Sequence, residues 1–223
     1  TAAAINNGDT FTVLCGDVSD SGSNYPTSRA EVLVDLPSPT STPPALWPHP
    51  PGSERWFHWS TYVPSSFIPT STGTDWLTFL QIKGLRGGSP PLGMEIQRNN
   101  WRFGGSRGNA GAWPDNGIIQ AIEFDTWTDF VLGVKLSPEA GVGWVELWCN
   151  EQLVIPRQSI ATMDYQSDGT TPDPVYIKMG IYQNTTWTST NVLYHGEMTI
   201  ADSGVDFGVV QEPPSGRGGY HTR

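Results

Sequence analysis

Along this chain apolar residues recur at every second position in short runs, with polar residues in the alternate places. A two-residue period marks β-strands with two distinct faces. The pattern predicts strands over Phe11–Cys15, Arg29–Leu36, Trp56–Val63, Asp75–Lys83, Leu92–Gln97 and Ile118–Glu123. It continues over Trp127–Leu136, Trp144–Asn150, Gln152–Ile155, Tyr176–Gln183 and Val192–Ala201. Between them lie segments rich in Gly, Pro, Asp and Asn: 16–28, 37–52, 104–117 and 164–174. Segment 37–52 holds Pro37, Pro39, Pro43, Pro44, Pro48, Pro50 and Pro51, which leaves too few N–H donors for a packed element. No internal repeat, heptad or amphipathic helix emerges. The pattern delimits one domain over 8–210, followed by a flexible C-terminal tail over 211–223 that carries Pro213-Pro214 and Gly216.

Three segments place chemistry on one face. In Tyr176–Gln183, Ile177, Met179 and Ile181 supply one side, and Tyr176, Lys178, Gly180 and Tyr182 the other. A glycine among two phenols and an ammonium leaves room for a ligand to approach the sheet. In Ser28–Val32, Arg29 and Glu31 share a face; in Phe79–Gly84, Gln81 and Lys83 share one while Leu80 and Ile82 oppose them. The bland reading of each segment alone is a solvated outer sheet face. Together they suit a polar, ring-shaped, anionic ligand.

Composition narrows the class. With 223 residues, 25 Gly and 19 Pro, the chain fits one all-β sandwich rather than long helices. Ten Trp serve either core packing or a sugar platform. The formal charge of −10 argues against nucleic acid, which needs clustered Lys and Arg. A polyanionic substrate would then require a local basic patch to overcome the global field. No apolar run reaches 18 residues, so no membrane insertion is expected. Cys15 and Cys149 could form one disulfide or remain as two buried thiols, and no Cys/His cluster suggests zinc.

The trio resembles the three signature regions of the jelly-roll polysaccharide lyases. In the alginate-lyase branch these read approximately R-S/T-E-L, Q-I/V-H and Y-F-K-A-G-V-Y. Here they stand as Arg29-Ala30-Glu31-Val32, Gln81-Ile82-Lys83 and Tyr176-Ile177-Lys178-Met179-Gly180-Ile181-Tyr182. Arg55–Pro64, Trp127–Lys135 and Gly143–Asn150 are similar to the heparin-lyase-I-like and glucuronan-lyase-like branch. The resemblance implies a concanavalin-A-like jelly-roll β-sandwich of two antiparallel sheets, with a concave glycan cleft. It implies β-elimination at a uronic acid in a polysaccharide. By resemblance, Arg29 and Gln81 would hold the carboxylate, and Tyr182 would be the acid and also a candidate base. Glu31 would orient Arg29, and Tyr176, Lys178 and Gln183 would line the substrate.

Lys83 stands where that pattern has histidine. An ammonium with a reference pKa of about 10.4 is a poor base, though it can neutralise a carboxylate. His58, His195 and His49 are the alternative sources of an imidazole, each with a structural role as the competing reading. A second function stays open: a non-catalytic glycan-binding or structural module, for example on a virion or cell surface. A third, a glycoside hydrolase, would need paired carboxylates, with Glu95 and Glu146 as candidates. No cofactor is required by the elimination. A structural calcium on Asp17, Asp20, Asp202 or Asp206 competes with simple solvated loop carboxylates. The expected location is extracellular or secreted, or the surface of a virus particle.

Overall fold

The computed structural model describes residues 9–13, 27–33, 49–68, 76–86, 88–106, 117–184, 191–196 and 198–202. Every regular element among them is a strand, and all pairings are antiparallel. The strands are β1 (Asp9–Val13), β2 (Thr27–Leu33), β3 (Glu54–Tyr62), β4 (Leu77–Gly84), β5 (Leu92–Gln97), β6 (Asn100–Gly104) and β7 (Ile118–Ala121). They continue as β8 (Trp127–Lys135), β9 (Trp144–Cys149), β10 (Gln152–Ser159), β11 (Val175–Asn184), β12 (Asn191–His195) and β13 (Thr199–Asp202). A seven-stranded sheet runs β1-β12-β3-β8-β9-β10, with β13 also paired to β3. A six-stranded sheet runs β2-β11-β4-β5-β6-β7. The two form the jelly-roll β-sandwich that the strand pattern and the family resemblance anticipate.

Alternation explains what fills the space between them. Phe57 and Trp59 of β3 and Phe130, Leu132 and Val134 of β8 point inward from the larger sheet. Phe79, Leu80 and Ile82 of β4, Trp101 and Phe103 of β6, and Ile177, Met179 and Ile181 of β11 meet them from the smaller one. Trp59 stacks on Phe130 at 5.3 Å, and Trp101 meets the edge of Phe130 at 5.2 Å and of Phe79 at 5.4 Å. Such aromatic pairs contribute about 0.5–1.5 kcal/mol each beyond the area they bury. Several of the ten Trp therefore serve the core.

The larger sheet is also covered on its outer side. Trp56, Val131 and Trp144 form a second buried cluster there, with Trp148 and Ala201 against it. Gly133 of β8 makes room for it: a Cβ at that position would sit 2.8 Å from the Trp56 ring. The Arg157 guanidinium lies 3.7 Å above the Trp144 ring. This double coverage is why β3 is buried at all seven interior positions and does not alternate cleanly.

Three elements differ from expectation. β6 was not foreseen, because Arg98-Asn99-Asn100 and Gly104-Gly105 read as turns; yet Trp101 and Phe103 are fully buried, and Arg98 at φ 56° closes a two-residue hairpin to β5. β10 runs on to Ser159 past Pro156, which an edge strand tolerates because, among the described residues, its outer donors face no partner strand. The segment expected as one strand, Val192–Ala201, is split around Gly196, whose amide bonds the Ser60 carbonyl at 2.8 Å. A Cβ there would meet the Ser60 Oγ at 2.3 Å. Cys149 is a buried free thiol, pushed up to about 12 by burial and by Asp129; Cys15 lies outside the described residues. So do the proposed tail and Asp17, Asp20 and Asp206 of the calcium expectation, together with the Asp202 side chain.

Candidate functional site

The site is the outer face of the six-stranded sheet. In β4, Phe79 and Leu80 both point to the core, so Thr78, Gln81 and Lys83 fall on the outer face. In β11, strict alternation puts Tyr176, Lys178, Gly180 and Tyr182 on that face. Register then sets neighbours: Tyr176 faces Lys83, Lys178 faces Gln81 and Tyr182 faces Thr78. On the other flank, Gly180 faces Glu31 and Tyr182 faces Arg29. The three polar segments of the sequence thus lie on three adjacent strands. The Arg29 side chain lies outside the described residues, so only its backbone place opposite Tyr182 is given.

Glu31 is the hub. Its carboxylate accepts a hydrogen bond from the Gln81 amide and lies 3.7 Å from the Lys178 ammonium. The Glu31 side chain is only 6% exposed and that of Lys178 is 16% exposed, so this ion pair is weakly screened by water. Lys178 also sits 5.9 Å over the Tyr176 ring. Lys83 donates to the Gly88 carbonyl, which ties its ammonium to the β4–β5 connection. The Tyr182 ring meets the edge of Trp76 at 4.8 Å.

The floor beside these groups is glycine. Gln81 faces Gly93 of β5, and Gly93 faces Gly104 of β6. Gly180 lies on the same face two strands from Gly93, and all three glycines are buried, with the Arg102 guanidinium 2.7 Å from where a Gly104 Cβ would sit. At its side, Glu95 faces both Thr78 and Arg102, and the Arg102 guanidinium donates to the Glu95 carboxylate. Burial holds the Glu95 carboxyl above its ordinary value, and Arg102 opposes that rise.

Several sequence assignments need correction. Gln183, expected to line the substrate, is fully buried and falls in step with Ile181 toward the core. His49, one of the alternative imidazole sources, is also fully buried; its backbone bridges Val175 and its ring meets Phe57 at 5.9 Å. His58 lies on the outer side of the other sheet, 3.9 Å from Asp129. His195 is enclosed between the sheets, with Nδ1 3.0 Å from the Thr61 hydroxyl. Burial pushes its imidazole down to about 3. Among the described residues, no histidine stands on the site face.

The hydrolase pair also fails. Glu146 sits on β9 of the opposite sheet, bonded to the Trp148 indole at 3.1 Å and to Arg157 at 3.2 Å. The site-face carboxylates Glu31 and Glu95 stand on strands three steps apart. At about 4.8 Å per step that is roughly 14 Å, beyond the 5–9.5 Å of hydrolase pairs. Sequence reading missed Trp76, Thr78, Arg102 and the glycine floor. The same alternation, applied to Gly93-Met94-Glu95 and to Arg102-Phe103-Gly104, carries the signal for most of them.

A family model described as polysaccharide lyase matches residues 12–199. The chain belongs to the polysaccharide lyase family. No curated protein sequence matches it. Among solved structures, this polysaccharide lyase family member is similar to an endo-β-1,4-glucuronan lyase from the fungus Trichoderma reesei. The TM-score is 0.56 at 13% identity, covering 87% of this chain and 80% of that one. It is similar to a family 7 alginate lyase in complex with substrate, with a TM-score of 0.59 at 14% identity over 89% and 79% of the two chains. The catalytic domain of a glycoside hydrolase family 131 protein from Coprinopsis cinerea also matches, with a TM-score of 0.53 at 12% identity over 89% and 71%. These likenesses establish the shared jelly roll. Among the described residues no group of three or more His, Cys, Asp and Glu is arranged to hold a metal, and no helix is long and apolar enough to cross a membrane.

Proposed function

We propose that this family member cleaves a uronic-acid-containing polysaccharide by β-elimination on the outer face of the six-stranded sheet. The observation that carries this reading is the Glu31–Gln81–Lys178 cluster on the same sheet face as Tyr182.

Elimination breaks the C5–H and C4–O bonds, forms a C4=C5 double bond, and passes one proton to a base and another to the leaving oxygen. Its main barrier is the charge that develops on the carboxylate as C5 loses its proton. In this reading the second N–H of the Gln81 amide, the Lys178 ammonium and the Arg29 guanidinium hold that carboxylate. Glu31 aims the first two, since both already converge on it. Tyr182 takes the C5 proton and returns a proton to the glycosidic oxygen, a double duty open to a hydroxyl that reaches both atoms. Tyr176 and Trp76 offer rings for neighbouring sugars. The structurally similar lyases named above act on glucuronan and alginate, which supports a uronate substrate.

A second reading keeps the glycan and drops the chemistry. It is favoured by Lys83, whose ammonium is committed to the Gly88 carbonyl where the signature has an imidazole. Incubation with glucuronan, alginate and heparin-type polymers decides between them. A lyase raises the ultraviolet absorbance of unsaturated uronate ends, and Tyr182→Phe lowers that rate by roughly 10²–10⁴-fold. Binding without new absorbance refutes the enzyme reading for those polymers, and a fully active Tyr182→Phe removes the phenol from the mechanism.

A further inference from the structure

The site face uses one device twice. A sheltered carboxylate, Glu31, aims the Gln81 amide and the Lys178 ammonium. On β5 and β6 a second sheltered carboxylate, Glu95, accepts a hydrogen bond from the Arg102 guanidinium. The two residues stand directly opposite each other in the ladder. Their chain neighbours Met94, Ile96, Trp101 and Phe103 fill the core, so alternation holds Glu95 and Arg102 on the site face. Their side chains are 13% and 18% exposed, sheltered yet open to the surface.

Where the pair points is visible at Gly104. A Cβ there would sit 2.7 Å from Arg102 Nη1 and 3.3 Å from both Arg102 Cζ and Glu95 Oε1. Guanidinium and carboxylate therefore lean along the strands toward Gly104, which has no side chain to block them. Gly104 pairs with Gly93, Gly93 with Gln81, and Gln81 with Lys178. These positions form one row across β6, β5, β4 and β11. Arg102 thus reaches into the row that holds the Gln81–Lys178 cluster, with Gly93 between them. Two strand steps of about 4.8 Å put Gly104 and Gln81 roughly 10 Å apart.

A guanidinium carries its N–H donors in a planar fork and can hold carboxylates on more than one edge at once. One uronate cannot present its single carboxylate at both ends of this row. An oligomer lying across the strands can. We propose that Arg102, aimed by Glu95 over Gly104, is a specificity-determining residue that binds a second uronate carboxylate of the same glycan chain. The assignment rests on the reading of this face as a uronate-polymer site, but not on bond cleavage. It makes the face select a run of acidic sugars over a single acidic unit.

The test titrates the whole chain with oligoglucuronates and oligoalginates of increasing length, and with neutral cello-oligosaccharides of matching length. Affinity is read as Kd where nothing is cleaved and as KM where cleavage occurs. Acidic oligomers should gain affinity once they span both points, and neutral ones should not. Arg102→Met should weaken the longer acidic oligomers roughly ten- to hundredfold, the worth of one contact between charged groups, and the shortest far less. Glu95→Gln keeps an acceptor for Arg102 and removes a competing charge, so it should bind the longer acidic oligomers at least as tightly. A purely structural ion pair lowers stability in both variants without changing the dependence on length, and that result overturns the assignment. If Arg102→Met does not fold, the Arg102 Nε signal of the unaltered chain decides by nitrogen NMR. Long acidic oligomers should shift it, and an unmoved signal at saturation overturns the assignment. Cleavage with an unchanged length dependence in Arg102→Met refutes this assignment alone. Arg102-dependent binding without cleavage refutes the lyase reading alone, and no binding of any acidic oligomer refutes both.

Discussion

Burying His195 as a neutral ring has a thermodynamic signature that can be worked out in advance. In the folded chain its imidazole is pushed down to about 3 by desolvation. In the unfolded chain it takes a proton near the ordinary value of about 6.5. Below that value the unfolded state binds one proton that the native state refuses, so stability falls as pH falls. The contribution is fully present above about pH 6.5 and is lost progressively down to about pH 3, at up to 1.36 kcal/mol per pH unit. Between about pH 7 and pH 5 the integrated loss is about 2 kcal/mol. Replacing His195 with glutamine removes this proton uptake, so the stability of His195→Gln should depend less steeply on pH. Urea unfolding followed by tryptophan fluorescence, on both proteins at both pH values, measures the difference directly. All other titrating groups are common to the two proteins and cancel. Parallel pH dependences would refute the reasoning, because they would mean that His195 is charged or solvated in the native state.

Other expectations follow from individual contacts. Gln81→Leu should cost roughly 1–3 kcal/mol, because it strips a donor from the nearly buried Glu31 carboxylate. Gln81→Glu should cost more at neutral pH, and urea titrations should show the two variants converging in acid as the like charges are neutralised. Gly133→Ala should lose roughly 1–3 kcal/mol in the same assay, since its methyl would press on the Trp56 ring. Cys149, with its thiol pushed up to about 12, should resist thiol reagents in the folded protein at neutral pH and label fully once unfolded.

Much of this architecture is legible in the sequence because the strand period is short and local. Ile177, Met179 and Ile181 against Tyr176, Lys178 and Tyr182 announce both faces of β11 without any tertiary information. The order of the three polar segments anticipates their adjacency on β2, β11 and β4. What stayed hidden depends on contacts across the fold. Gln183 continues a polar run in the sequence, yet alternation in β11 turns it inward. The histidines are the hardest to place: nothing local distinguishes His195, which stacks on Phe79 between the sheets, from a ring that opens onto a cleft. The pairing of Glu31 with Gln81 and Lys178 spans 50 and 147 positions of chain, and only the sheet order brings them together. β6 was lost because its flanking Asn and Gly residues outweighed two buried aromatics in so short a run.

Pro156 has a consequence for how this molecule behaves in a crowd. β10 is the rim of the larger sheet, and a rim of free N–H and C=O groups invites another molecule to add a strand. Pro156 deletes one donor midway along that rim, and the β10–β9 register shifts on both sides of Ile155 keep the strand from lying flat. Arg157, folded back over Trp144, sets a charge beside the same stretch. Edge-to-edge growth from this side is therefore discouraged by the backbone itself, so the sheet ends in solvent as a finished border rather than as a template for the next copy.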